Sequence, residues 1–329
     1  MSGRETPAEP RLAVALGGGG VRGAVHLGVL HALFDAGLRP ALVAGTSSGA
    51  VAGLLYALEL ERGDAPRVEA MQLIEAIGAR GFSELHRLLA GKPGETLRER
   101  LSTLVGWERL LRAGVTGPAI TSIEPMRAAL TRLVGPRSFE SLPIPLAFVA
   151  ADLLSGQKAV LTSGPLVPAL LASCSVPGVF PPVAHQGMLL VDGHVLDNVP
   201  ASVARAALQG QPGIVLGVDV GFDEPAPVRT ALDVILRAAA VSREALRADG
   251  LKHADSAIHV GDEVPSGIFE IERAAALYAA GLERGREIAP TLQAALAALA
   301  RPRRWFGRAA PGPAPIPKAL AGPNLKPDA

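Results

Sequence analysis

Residues 12–49 read LAVALGGGGVRGAVHLGVLHALFDAGLRPALVAGTSSG, and the interpretation of the whole chain starts from this segment. A short apolar strand precedes a glycine loop and an apolar helix, and a second short strand then enters the turn GTSSG at residues 45–49. Residues 50–60 are apolar and fit the helix that this turn would open. A Gly-x-Ser-x-Gly turn between a strand and a helix is typical of a nucleophile elbow, where the serine stands on a sharp, strained corner. The pattern therefore predicts that Ser47 is a nucleophile, flanked by Gly45 and Gly49.

The glycine loop supplies the second half of this predicted site. Residues 17–20 are all glycine, and Gly23 follows shortly after. Such a loop offers a row of backbone N–H groups, and parallel neighbouring strands place two such loops at the same edge of a sheet. The donors could then face the carbonyl oxygen that Ser47 attacks.

A dinucleotide site is the rival interpretation of the same loop. Gly18, Gly20 and Gly23 satisfy the G-x-G-x-x-G fingerprint after a strand. That fingerprint also requires an acidic residue at the end of the second strand, where this chain has Ala44-Gly45-Thr46. No Gly-Lys-Ser or Gly-Lys-Thr follows either, so a P-loop is also disfavoured.

A serine nucleophile needs a base, and Asp192 is the candidate that the layout favours. It follows a four-residue apolar strand and precedes Gly193, which would place its carboxylate at a sheet edge with room for close approach. The alternative is an ordinary turn aspartate. A Ser-Asp-His triad also stays open, because His253 and His259 fall in the required chain order.

Strand and helix patterns alternate along most of the chain. Strand-like runs recur at residues 146–151, 188–191 and 214–220, and residues 232–246 and 269–299 have helical patterns. This alternation is typical of an α/β layered domain with a mostly parallel sheet.

The predicted boundaries follow from composition. Residues 12–300 form the predicted domain, in which the charge-rich residues 62–135 have helical patterns and form a helical insert or a cap over the site. Residues 1–11 are polar and residues 301–329 are basic and then proline-rich, so both are predicted to be disordered.

Composition limits the classes of partner and compartment. The chain has 329 residues, of which 49% are hydrophobic, and a net charge of +1, so nothing indicates nucleic acid as a partner. A single cysteine, Cys174, cannot form an internal disulfide and suits a reducing compartment, and residues 1–11 lack the apolar core of a signal peptide. We therefore expect a cytoplasmic location. No metal-ligand spacing is apparent, so neither a metal nor a cofactor is predicted, and the oligomeric state stays open.

Several segments together resemble the patatin-like phospholipases, with the bacterial members most similar. The resemblance extends over residues 12–220, and its three signatures stand in order as GGGVRG at 18–23, GTSSG at 45–49 and Asp192-Gly193. Further similar segments are residues 151–156, 172–183 and 197–200.

The resemblance implies a three-layer α/β/α fold with a mostly parallel central sheet, and a serine–aspartate dyad without histidine that hydrolyses lipid esters. Carried over to this chain, Ser47 is the nucleophile and Asp192 the base. The loop from Gly18 to Arg22 would form the oxyanion hole, in which we expect the N–H groups of Gly19 and Gly20 to act as donors. Arg22 would position the loop or add positive charge.

One residue departs from the family pattern. The family usually has glycine or alanine where this chain has His194 after Asp192-Gly193. We expect its side chain to point to solvent. A protonated imidazole turned towards Asp192 would instead weaken that carboxylate as a base.

Two further functional interpretations remain. The chain could be an esterase with a Ser-Asp-His triad acting on non-lipid esters, or a non-catalytic lipid-binding relative. For a lipid substrate, the sequence RPRRWF at residues 301–306 could contact a membrane surface transiently, or it could be a basic helix end that leads into the tail.

Overall fold

The computed structural model describes residues 9–62, 117–221, 228, 231–260 and 270–301. Within these ranges an eight-stranded sheet lies between helices on both of its faces. The strands are β1 (Arg11–Leu16), β2 (Pro40–Thr46), β3 (Leu146–Asp152), β4 (Lys158–Leu161), β5 (Val183–His185), β6 (Met188–Asp192), β7 (Gly213–Asp219) and β8 (Ser256–His259). The helices are α1 (Ala24–Asp35), α2 (Ser48–Arg62), α3 (Glu124–Val134), α4 (Leu166–Ser173), α5 (Ala201–Ala207), α6 (Ala231–Leu251) and α7 (Ala274–Ala300).

The sheet has a parallel centre and an antiparallel end. Its order is β5-β6-β3-β2-β1-β7-β8, with β4 pairing with β3 away from this path. The run β3-β2-β1-β7-β8 is parallel throughout, whereas β4, β5 and β6 join it in antiparallel pairs. The predicted α/β/α architecture with a mostly parallel sheet is therefore confirmed.

Side chains that alternate along a strand point into two different layers of the core. In β1, Leu12, Val14 and Leu16 pack into the larger cluster, which includes side chains of α1, α2 and α7. Ala13 and Ala15 of the same strand face the other side, where small residues of α5 cover them. Because successive strand residues point to opposite faces, one apolar run serves both layers.

Helices α1 and α7 cross at very short distance because glycines line their contact. A Cβ atom on Gly28 would overlap the Tyr278 carbonyl oxygen, and one on Gly281 would overlap the Val25 carbonyl oxygen. The same region ties α1 to α2, since His31 Nε2 lies 2.5 Å from Glu59 Oε2. These helices hold the glycine loop, which immediately precedes α1, against the sheet.

The sequence located most of these elements. In the segment 269–299, which has a helical pattern, the described residues form a short 3₁₀ turn and then the single helix α7. Helix α4 was not predicted, because its segment contains several prolines, one of which lies within the helix at Pro168. In the predicted insert, residues 63–116 lie outside the described residues, while α3 agrees with the helical pattern of the remainder. Residues 302–329 of the predicted tail and residues 1–8 also lie outside the described residues.

Candidate active site

The Gly-x-Ser-x-Gly turn has the strained geometry that its sequence predicts. Ser47 lies between β2 and α2 with a φ of 54°, in the left-handed region. This conformation costs a non-glycine residue about 1–3 kcal/mol and is commonly found at functional sites. The turn is also tightly packed, because a Cβ atom on Gly49 would overlap the carbonyl oxygen of Leu16. The corner therefore presents Ser47 at the end of β2, partly exposed, above the start of a helix.

A buried serine from another element holds this corner in place. The Ser47 backbone N–H donates to Ser173 Oγ at 3.0 Å, and Ser173 Oγ donates in turn to the Val149 carbonyl oxygen at 2.7 Å. Ser173 is fully buried at the end of α4. Its hydroxyl thus links the Ser47 backbone to strand β3. The sequence contained Ser173 within a family-like segment but gave no reason to assign it this role.

Asp192 ends β6 and is fully buried. Its backbone N–H donates to the Ser175 carbonyl oxygen at 2.9 Å, and its Oδ1 accepts the His194 backbone N–H at 3.0 Å. Asp192 Oδ2 is buried and accepts no hydrogen bond within the described part of the chain. One carboxylate oxygen is therefore held by a backbone hydrogen bond, and the other remains available to accept a proton.

Strand pairing brings Ser47 and Asp192 to the same place. Thr46, the last residue of β2, pairs with Val149, and Asp192 pairs with the next residue, Ala150. Both side chains line one cavity of about 150 Å³. Ser47 Oγ and Asp192 form no hydrogen bond among the described residues, and a catalytic contact of this kind often tightens only when substrate is bound.

The glycine loop lines the same cavity, and its N–H groups differ in availability. The Gly18 N–H already donates to the Asn198 carbonyl oxygen at 3.1 Å and to Asn198 Oδ1 at 3.2 Å. In the described ranges, the Gly19 and Gly20 N–H groups have no hydrogen-bond acceptor, and Gly20 begins a short 3₁₀ turn. The geometry thus leaves Gly19 and Gly20 as the donors available to an oxyanion, whereas Gly18 acts as an anchor of the loop.

A histidine that was not among the predicted site residues also holds the glycine loop. His26 is fully buried in the first turn of α1, and its Nε2 lies 2.7 Å from the Gly17 carbonyl oxygen. Burial lowers the pKa of His26 to about 4, although the hydrogen bond to Gly17 and the charge of Asp219 oppose this shift. The imidazole is therefore neutral near pH 7, and Nε2 carries the proton that it donates to Gly17.

Arg22 and the arginines of α6 complete the wall beside the loop. Arg22 is buried, and its Nη1 donates to the Val220 carbonyl oxygen at 3.4 Å. Arg243, Glu244 and Arg247 reach the cavity from α6. Arg247 is bound to Asp219, Glu244 and the carbonyl oxygen of Gly221. This wall of the cavity therefore contains both positive and negative side chains. The contact of Arg22 with Val220 also connects the glycine loop to the residue that follows β7.

The two histidines proposed for a triad do not reach Asp192 in this structure. His259 Nδ1 lies 2.7 Å from Asp219 Oδ2, on the far strand of the sheet. His253 is exposed and precedes β8, at the end of that strand away from Ser47. His194 was expected to point to solvent, and that expectation is wrong, since its Nδ1 lies 3.1 Å from Asp192 Oδ1 and its side chain is 20% exposed.

Most of the residues that form this cavity lie in a segment that matches a known protein family. Residues 14–205, more than half of the chain, match the family model described as Patatin-like phospholipase. The chain therefore belongs to the patatin-like phospholipase family, as its motifs predicted. None of the helices in the described ranges combines the length and apolar character needed to cross a bilayer.

Individual relatives match over similar lengths. An uncharacterised NTE family protein of Mycobacterium bovis is 33% identical over 222 residues, which cover 68% of this chain and 52% of that protein. Patatin-like phospholipase domain-containing protein 7 of Rattus norvegicus is 28% identical over 212 residues, covering 64% of this chain and 14% of its own length. The chain thus spans about half of the mycobacterial relative and a small part of the rat protein. Among solved structures, VipD from Legionella pneumophila matches with a TM-score of 0.45 and 15% identity, over 87% of this chain and 67% of VipD.

Proposed function

We propose that this protein is a serine acyl hydrolase that cleaves carboxylic esters of lipids. The observation that carries the proposal is the convergence of three groups on one cavity: a serine on a strained corner, a buried aspartate, and the backbone N–H groups of Gly19 and Gly20. Within the described ranges, one oxygen of this aspartate and both of these N–H groups have no hydrogen-bond partner. Membership of the patatin-like phospholipase family supports the reaction class.

The proposed mechanism has two steps. Asp192 Oδ2 accepts the proton of Ser47 Oγ as this oxygen attacks the ester carbonyl carbon, and the Gly19 and Gly20 N–H groups donate to the resulting oxyanion. The tetrahedral intermediate collapses, and the alcohol leaves with the proton from Asp192. Water then attacks the acyl-enzyme as Asp192 takes one of its protons, and this proton passes to Ser47 Oγ when the carboxylic acid leaves. Each backbone donor to an oxyanion is worth roughly a hundredfold to a thousandfold in rate.

Apolar surface beside the site supports a lipid substrate and a transient contact with a membrane surface. Val195 ends the 3₁₀ turn that begins at Gly193 and Leu196 follows it, and their exposed fractions are 41% and 37%. Exposed aliphatic side chains next to a catalytic cavity suit contact with acyl chains better than contact with a polar ester.

The test is hydrolysis of a short-chain p-nitrophenyl ester and of phospholipid vesicles by wild type, Ser47→Ala and Asp192→Asn. The matched controls are Ser141→Ala and Asp249→Asn, which remove a serine and a carboxylate from exposed positions elsewhere. We expect Ser47→Ala to abolish both activities and Asp192→Asn to lower kcat by on the order of a thousandfold, as for loss of a general base. Equal activity of wild type and Ser47→Ala would refute the proposal. Activity on the soluble ester alone would refute its lipid part.

A further inference from the structure

The two oxygens of the Asp192 carboxylate have different surroundings. Oδ1 accepts the His194 backbone N–H at 3.0 Å, and the ring Nδ1 of the same residue lies 3.1 Å from it. Oδ2 accepts no hydrogen bond in the described part of the chain. One residue therefore contacts Oδ1 twice, through its backbone and through its ring, and leaves Oδ2 for Ser47.

We propose that His194 is a positioning residue for Asp192: its backbone N–H holds Oδ1 so that Oδ2 faces Ser47, and its ring, when protonated, suppresses the acceptance of the Ser47 proton. The proposal rests on the function proposed above, because it concerns the base of that reaction. It makes the rate of acyl transfer depend on the charge of a residue that contacts the proposed base.

The physical reason is electrostatic. The base becomes neutral when it takes the proton of Ser47, so a positive charge 3.1 Å from Oδ1 favours the carboxylate and opposes the transfer. Asp192 and the ring lie in a partly enclosed cavity wall, the ring only 20% exposed and the carboxylate fully buried, so water screens this interaction weakly. Removing the ring proton removes the opposition without changing the fold.

The other charged groups that line the described cavity are three arginines and one glutamate. Arg22 comes from the loop and Arg243 and Arg247 from α6, and a guanidinium group keeps its proton throughout the pH range of proteins. The Glu244 carboxylate is paired with Arg247. The Cys174 thiol next to Asp192 stays neutral, because burial and then the charge of Asp192 raise its pKa well above the ordinary value. Among the described residues that line the cavity, an imidazole is the side chain whose charge ordinarily changes between about pH 5 and 8.

The first test compares the pH dependence of kcat/KM for a soluble ester between pH 5.5 and 8.5 in wild type and in His194→Gln. Glutamine keeps a neutral polar side chain and cannot become charged. At pH 8 we expect the kcat/KM values of the two proteins to agree within about tenfold. Between pH 8 and pH 5.5 we expect kcat/KM of wild type to fall by a factor about ten times larger than that of the variant. His253→Gln is the matched control, because His253 is exposed and remote from the cavity, and its profile should equal that of wild type. Superimposable profiles of wild type and His194→Gln would overturn the proposal.

Two further measurements separate this proposal from the proposed function. If Ser47→Ala and Asp192→Asn keep wild-type kcat/KM, the proposed function fails; if they are inactive and the His194→Gln profile is unchanged, only the role of His194 fails. Histidine ¹⁵N NMR tests the contact without any activity. We expect the chemical shifts of the His194 ring nitrogens at pH 8 to change in Asp192→Asn, since Nδ1 loses the carboxylate that lies 3.1 Å away. Unchanged shifts would overturn the proposal.

Discussion

Backbone conformation at single residues decides what this site can do. Ser47 takes a left-handed φ of 54° and depends on Ser173 for the position of its N–H group. Asn198 and His26 similarly fix Gly18 and Gly17 at the base of the glycine loop. A buried polar side chain thus holds the backbone of the proposed nucleophile directly, and two others anchor the base of the loop that carries the proposed oxyanion donors.

Loss of the Ser173 hydroxyl should therefore reduce catalysis as well as stability. Ser173→Ala leaves the Ser47 N–H and the Val149 carbonyl oxygen without their partner, and we expect a loss of about 1–3 kcal/mol in the free energy of unfolding. We also expect kcat to fall roughly tenfold or more with little change in KM, because the nucleophile moves away from its aligned position. Ester kinetics and urea unfolding measure the two effects.

Ser141→Ala is the control for this variant. In wild type the Ser141 hydroxyl also donates to a backbone carbonyl oxygen, that of Ser138, but Ser141 is exposed and lies outside the cavity. It should keep both wild-type kcat and wild-type stability. A wild-type kcat in Ser173→Ala would show that the contact to Ser47 N–H does not position the nucleophile.

The proposed reactive residues are easier to predict from the sequence than the residues that support them. Ser47 and Asp192 carry local signals, a strand–turn–helix motif and a strand end. Ser173 and Asn198 act through contacts across 126 and 180 positions of the chain, and no local pattern encodes such a contact. The direction of the His194 ring was likewise not encoded locally, because a residue after a strand can turn to solvent or back to the preceding carboxylate.

At the scale of elements, strand order explains why distant motifs meet. β1 and β2 are parallel neighbours, so the glycine loop and the serine turn both emerge at the carboxyl end of the sheet. β6 runs antiparallel to β3 and ends beside the point where β2 ends, which brings Asp192 to Ser47 from the opposite direction. The sequence predicted the strands themselves, but the antiparallel direction of β6 depends on tertiary pairing with β3 and could not be inferred from its apolar residues.

The crossing of α1 and α7 gives a prediction at this scale. Alanine ordinarily stabilises a helix by about 1 kcal/mol relative to glycine, yet a Cβ atom at Gly281 would overlap the Val25 carbonyl oxygen. We therefore expect Gly281→Ala to separate the helices and lower the free energy of unfolding by roughly 1–3 kcal/mol, as for overpacked cores. Urea unfolding measures it, with Ala279→Gly on the exposed face of α7 as the control, expected to cost about 1 kcal/mol. An unchanged or more stable Gly281→Ala would contradict the close crossing.

For the whole molecule, His26 couples stability to pH. Its pKa is lowered by burial to about 4 in the folded protein, below the ordinary value of 6.5. In the unfolded chain this imidazole therefore binds a proton more readily than in the folded protein. The stability that the neutral, buried His26 contributes is fully present above about pH 6.5 and is lost as the pH falls towards 4. Between pH 7 and 4.5 this residue alone should remove about 2 kcal/mol from the free energy of unfolding.

Urea unfolding of wild type and His26→Gln at these two pH values tests the coupling. Glutamine can still donate to the Gly17 carbonyl oxygen but cannot be protonated. Between pH 7 and 4.5 the free energy of unfolding of His26→Gln should therefore fall by about 2 kcal/mol less than that of wild type. His253→Gln, at an exposed position, should behave as wild type. Equal losses in wild type and His26→Gln would mean that His26 is not buried in its neutral form.

The central claim is that Ser47 is a nucleophile activated within this cavity. Labelling with an alkyl fluorophosphonate, followed by peptide mass mapping, tests it most directly, because the reagent forms a stable bond only with an activated serine. The account predicts one adduct, on Ser47, which is absent in Ser47→Ala, slowed in Asp192→Asn and retained in Ser48→Ala, the matched control at the adjacent serine. An adduct on Ser48 or another residue, or equal labelling of Ser47→Ala, would contradict the account.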